Sequence, residues 1–234
     1  MKKLFALILL IGFTATSQTI DFKLYDDFLK KHVTENGVVD YDKVLKNMGQ
    51  LNLIVSNFSK ISPNKSWTKS EIKTFWINVY NANVIKLFAE NYPLKSINYI
   101  RDPFQMKFIA FDGDKISLEY IQNDILKVLD DPRVHFALYT TAISSPKLKN
   151  SAYSSDTIEN VLNLITNEYI NDPSKNNITA KNCALSKIFE WNITDFMGNN
   201  TIVSFINKYS NVRINDETKI GFMEYNWNLY KEIK

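Results

Sequence analysis

A chain of 234 residues with 45% hydrophobic and 23% charged side chains is long enough for one sizeable domain and too apolar for wholesale disorder. Its formal charge of +3 falls to +1 once Lys2 and Lys3 are set aside, leaving 26 basic residues against 25 acidic ones, so charge gives no case for nucleic acid or an anionic membrane as partner. Cys183 is the single cysteine, which excludes an internal disulfide and leaves stability to the core.

The first residues read as a secretory leader. Lys2 and Lys3 precede an apolar run over residues 4–13, and Ala15 and Ser17 supply small side chains for cleavage before Gln18. The run is too short to span a bilayer, and no cysteine follows it to carry a lipid anchor. The expectation is a signal peptide over 1–17, a single domain over 18–234, and a secreted or periplasmic destination with no transmembrane segment in the mature chain. Five Asn-x-Ser/Thr sequons, at Asn57, Asn64, Asn177, Asn192 and Asn199, are read as chance matches in an Asn-rich chain.

Residues 20–33 carry Phe22, Tyr25, Phe28, Leu29 and His32 at helical spacing, which predicts an amphipathic helix with His32 near the surface. An extended piece at 37–41 and a helix over 42–58 follow. Thr68 and Glu71 then form a capping box opening a helix that runs to about Asn91, ahead of Pro93. Its segment 74–85 carries no charge and is apolar on all sides, the pattern of a central buried helix. Asn78 and Asn81 share a strip of that helix. Buried amides need partners, so they either clamp an adjacent loop or line a site.

Residues 107–116 read as a hairpin around Asp112-Gly113. Ser117 caps a helix to about Leu129, which Asp131-Pro132 ends. Residues 133–140 alternate Val134, Phe136 and Leu138 against His135, Ala137 and Tyr139, which predicts a strand running into a hydroxyl-rich turn. A helix over 156–170, a short extended piece at 177–180 and helices over 184–191 and 200–209 complete the middle of the chain. At the C-terminus, 211–214 is predicted to pair with 220–223. The sum is an α+β, helix-rich single domain with a small mixed or antiparallel sheet around a buried central helix.

Two histidines, one cysteine and singly spread glycines give neither a metal-ligand spacing nor a phosphate loop, so no metal and no cofactor is expected. His135 is the one candidate general base, with Thr140, Thr141, Ser144 and Ser145 as nearby hydroxyls. Either His135 serves a Thr or Ser nucleophile, or its ring is a satisfied core group bonded to a carbonyl or to a helix asparagine.

The segment 75–85, FWINVYNANVI, resembles the FWINxYNA signature of domain-of-unknown-function family 547, DUF547. The spacing to 113–118, to VHFAL at 134–138 and to EYNWN at 224–228 is similar too, as are the outer segments 37–41 and 185–191 with Asp195 and Phe196. The resemblance covers about 20–230. It implies a departure at the site: the family's HFALNC-G-x-x-SCP has here Tyr139 for Asn, Thr140 and Ser145 for the two Cys, and Thr141 for Gly, with Ser144 and Pro146 kept. Its Ile-Glu-His and following Leu-Arg become Ile121, Gln122, Asn123, Leu126 and Lys127. His135, Asn78 and Asn81 match.

The family brings no settled activity, and its Cys and Glu-His positions suggest thiol-based chemistry. Gln and Asn exchange no protons near neutral pH, and a hydroxyl needs an activating base that a thiolate does not. The expectation is therefore a non-catalytic binding or structural protein with an altered, pseudoenzyme-like site. Asn78, Asn81, Gln122, Asn123 and Tyr139 would line that site, and a peptide or protein is the partner class left open. The alternative is a hydrolase using Thr140, Ser144 or Ser145 with His135.

Overall fold

A computed structural model describes residues 20–198 and 201–231; the expected leader and Asn199 lie outside them. About 49% of the described residues are helical and 10% strand, a helix-rich α+β domain with two small sheets. The N-terminal helices are α1 (Lys23–His32), α2 (Tyr41–Lys46) and α3 (Met48–Phe58). The segment expected as one helix over 42–58 is divided at Asn47. His32 lies inside, 1% exposed, and not near the surface as its spacing suggested.

Helices α2 and α3 pack on α4 (Lys69–Glu90), the centre of the molecule, and α1 packs on α2 and α3. Thr68 Oγ1 accepts from the Glu71 N–H at 3.2 Å and Glu71 Oε2 accepts from the Thr68 N–H at 2.7 Å, so the capping box closes both ways. Every residue from 73 to 85 is buried. A helix roughly 33 Å long at 1.5 Å per residue, with no wet face over most of its length, must find a partner for each polar side chain it carries inside. Lys73 does so by bonding Asp131 at 2.7 Å and also reaching Glu159, while Arg133 bonds the same Asp131 at 2.7 and 2.8 Å. Burial opposes the charged form of Asp131, but the Arg133 and Lys73 hydrogen bonds outweigh it and hold the carboxyl down to about 2.

Strands β1 (Ile109–Phe111) and β2 (Asp114–Ile116) form the expected hairpin, with Asp112 and Gly113 at positive φ as the turn. Helix α5 (Leu118–Tyr120) starts at the Ser117 cap, widens into a π segment over Ile121–Leu126 and tightens to a 3-10 turn over Lys127–Leu129. Residues 132–137 are not the expected strand. Asp131 caps the Arg133 N–H, Pro132 stands at the first helical position, and a 3-10 helix runs over Pro132–Ala137 before the chain extends at Leu138. Every side chain from 134 to 139 is buried, so no wet face marks a period, and an alternating string fits a buried 3-10 helix as well as a strand.

After α6 (Ile158–Asn171), β3 (Asn177–Ile178) pairs antiparallel with β4 (Asn182–Leu185). The helix expected over 184–191 thus begins as strand and continues as α7 (Lys187–Trp191); α8 (Ile193–Met197) and α9 (Ile202–Tyr209) follow. Strand β5 (Lys219–Phe222) runs parallel to β4, with Cys183 opposite Ile220. It does not pair with 211–214. Asn207 holds that stretch instead, donating to the Ile214 carbonyl at 2.7 Å and accepting its N–H at 2.9 Å.

Buried side chains form two clusters, one around α4 and one of Phe136, Tyr169, Phe189, Phe196 and their neighbours under the three-stranded sheet. Val134 and Ala137 belong to the first and Phe136 to the second, so the 3-10 helix lies at their junction. His135 is on that helix.

Candidate functional site

Two asparagines of α4 fix the backbone around the site. Asn81 donates to the Ala137 carbonyl and accepts the Tyr139 N–H, both at 2.9 Å. Asn78 makes the same double contact with the Tyr153 carbonyl and N–H at 3.0 Å. Each replaces a missing strand partner, satisfying one donor and one acceptor that burial would otherwise leave unpaired. Of the two roles open to them, these amides clamp loops. Gly37 adds a third restraint from outside: at φ +81° it backs onto Leu148 so closely that a Cβ would lie 2.9 Å from its backbone N and O.

The polypeptide after Leu138 turns sharply at Thr141, whose φ is +65°. The C-terminal segment crosses this turn as an added strand: the Ile143 and Ser144 N–H groups donate to the Asn228 and Asn226 carbonyls, and the Tyr230 N–H donates to the Thr141 carbonyl. That crossing carries Tyr225 and Trp227 to the mouth of a cavity of about 320 Å3. Its lining is rich in aromatic side chains, with Tyr80, Phe104, Trp191, Tyr225 and Trp227. Its polar lining is Gln105, Glu119, Gln122, Asn123, His135, Thr140 and Asn192. Gln122 and Asn123 reach it from the π segment of the α5 helix; such segments often occur at functional sites.

His135 does not contact a hydroxyl. Its Nε2 is 2.9 Å from Asp195 Oδ2 on α8, and Nδ1 is buried without a partner. Lys127 Nζ reaches the other oxygen of Asp195 at 2.9 Å. Burial works against the Asp195 carboxylate, yet the His135 and Lys127 hydrogen bonds prevail and bring it down to about 2. The ring is therefore held neither by a nucleophile nor by Asn78 or Asn81.

The candidate hydroxyls hold the turn together. Thr140 Oγ1 is 2.9 Å from Tyr225 Oη, and burial pushes that phenol up to about 12. Ser145 Oγ accepts the Thr140 N–H and donates to the Pro146 carbonyl, each at 2.9 Å. Ser144 Oγ accepts the Asn226 N–H at 2.9 Å. Tyr139 is buried with its hydroxyl against that of Tyr41, and Asn78, Asn81 and Tyr139 all lie off the cavity wall. Of the residues singled out by sequence, the cavity brings together Gln122, Asn123, His135 and Thr140.

The model of the family described as "Protein of unknown function, DUF547" matches residues 64–170. Residues 64–170 carry a DUF547 domain. No curated protein and no solved structure matches the chain. The matched DUF547 segment includes α4, the hairpin, the π segment and the 3-10 helix, and so all four of those cavity residues. Asp195, Trp191, Tyr225 and Trp227 lie beyond it. They are the functional candidates that sequence reasoning did not single out, and the one signal for them was their place in outer segments resembling DUF547 proteins.

Proposed function

We propose that this DUF547-domain protein is an exported, non-catalytic binding protein whose ligand occupies the aromatic-lined cavity. The observation that carries the reading is the composition of the polar lining. The positions where the family pattern has a thiol, a carboxylate and an imidazole face one cavity here as Thr140, Gln122 and Asn123. Among the described residues Gln122 and Asn123 make no side-chain hydrogen bond to protein, so they remain able to bond a ligand. They offer donors and acceptors but no proton exchange near neutral pH. A concave site with an apolar wall and a few converging polar groups is the usual form of a small-molecule site. Export rests on the leader-like residues 1–17.

One observation favours the hydrolase as a second reading: His135 and Asp195 form the base-and-orienter pair of a nucleophilic site. Its missing member is the nucleophile, since the hydroxyl nearest in sequence, on Thr140, is bonded to Tyr225.

A small-fragment screen followed by the indole N–H resonances of the four tryptophans tests the binding reading. Fragments are expected to shift Trp191 and Trp227 while leaving Trp67 and Trp76, which pack in the main core, unmoved. Hits that leave Trp191 and Trp227 unchanged would contradict it.

A further inference from the structure

The cavity wall is unbalanced in charge. Glu119 supplies a carboxylate, among the described residues no Lys or Arg side chain faces the cavity, and His135 has its Nε2 committed to Asp195. An anionic ligand would meet an uncompensated carboxylate and no cation, and burying such a charge is costly. That sets the cavity against phosphates and carboxylates.

The aromatic lining points the same way. Trp191 and Trp227 stack at 26° with centroids 5.8 Å apart, Tyr225 leans on both at 4.9 and 4.5 Å, and Phe104 continues the row 6.0 Å from Trp227. Trp191 is 51% exposed, so this row lies open to the cavity mouth. Indole is the best ring for holding a cation over its face. Elsewhere in the molecule lysines lie over Tyr153, Tyr230 and Tyr209, yet among the described residues no protein cation lies over this row.

A primary ammonium brings three N–H donors, and the cavity has acceptors for them in the free oxygen of Glu119 and the amide oxygens of Gln122 and Asn123. What favours a quaternary ammonium is the aromatic row: its methyl groups match the ring faces, which offer an N–H no lone pair. The volume of about 320 Å3 is at the small end for ligand sites, which suits a compact cation. We infer that the cavity binds a small ligand through a quaternary ammonium group, stacked on the Trp191–Trp227 row and neutralised by Glu119. This rests on the cavity being a binding site.

The test is calorimetric titration of the protein with choline and with its neutral carbon isostere, 3,3-dimethylbutan-1-ol. Choline is expected to bind about tenfold more tightly than the isostere, the ratio that a desolvated cation–π contact gives. Glu119→Gln is expected to weaken choline about two- to fivefold and leave the isostere unchanged, as for an exposed charge. Trp191→Leu, at a half-exposed position outside the core, is expected to weaken choline about tenfold without unfolding the protein. Equal binding of choline and isostere would overturn the ammonium class and leave the cavity reading in place. So would failure of choline to bind while fragments still shift Trp191 and Trp227. If fragments also fail to reach those tryptophans, both readings fall together.

Discussion

Thr141→Gly is expected to be as stable as Thr141→Ala to within about 0.5 kcal/mol, cancelling the roughly 1.5 kcal/mol deficit that Gly shows against Ala at a buried position of negative φ. A β-branched side chain at φ +65° is an outlier, and the left-handed conformation costs an L-residue roughly 1–2 kcal/mol. Thr141 is fully buried and its hydroxyl has no partner. The substitution to Ala removes that hydroxyl, which gains about 1 kcal/mol, and a buried methyl, which loses roughly 0.8 kcal/mol, so Ala is expected to match the wild type closely. The further step to Gly removes the Cβ strain. It also frees the unfolded chain and removes a second buried methyl, which together offset about 1.3–1.8 kcal/mol and leave the two variants level. Over a chain of this size the two melting temperatures should lie within about 2 °C by calorimetry, with the urea midpoints equally close. A Gly variant less stable than Ala by about 1.5 kcal/mol or more would refute the assignment of strain to this turn.

Three further outcomes follow from buried polar groups. Asn81→Ala leaves the Ala137 carbonyl and the Tyr139 N–H unpaired, so urea unfolding should show a loss of about 2–5 kcal/mol; a loss below 1 kcal/mol would mean that this clamp holds nothing. His32 is held below its usual pKa, first by burial and then by Lys31. An unfolded His32 therefore takes a proton that the folded one refuses, so its contribution is complete above about pH 6.5 and is lost as pH falls below that value. His32→Leu should flatten the stability profile between about pH 7 and 5, and an unchanged slope would show that the ring titrates freely. Asp131 and Asp195, both held down to about 2, contribute stability present above about pH 4 and lost as pH falls from there toward 2, so acid unfolding should retain a second phase in the His32 variant.

The parts of the fold legible in sequence are those where one local signal suffices. The capping box at Thr68 with an uncharged apolar run fixed α4, and Asp112-Gly113 fixed the hairpin. Two segments misled because side-chain amides take the place of strand partners. Asn81 holds 137–139 and Asn207 holds 214, contacts made across 56 and 7 residues that no periodicity reports. The parallel pairing of β4 with β5 joins residues 37 apart and is likewise invisible in a local pattern. The candidate site divides in the same way. His135, Thr140, Gln122 and Asn123 could be picked by residue type and by resemblance. Asp195 reaches His135 across 60 residues from α8, and Tyr225 reaches Thr140 across 85 from the C-terminal crossing, so only the folded chain brings them there.

A non-catalytic protein has no activated nucleophile among the hydroxyls of the 140–145 turn. The protein can be incubated with a fluorophosphonate probe and its peptides mapped by mass spectrometry. No adduct is expected at Thr140, Ser144 or Ser145, in line with hydroxyls bonded to Tyr225, to the Asn226 N–H and to the Pro146 carbonyl. A stoichiometric adduct at one of them that disappears in His135→Ala would contradict the non-catalytic reading and establish the hydrolase.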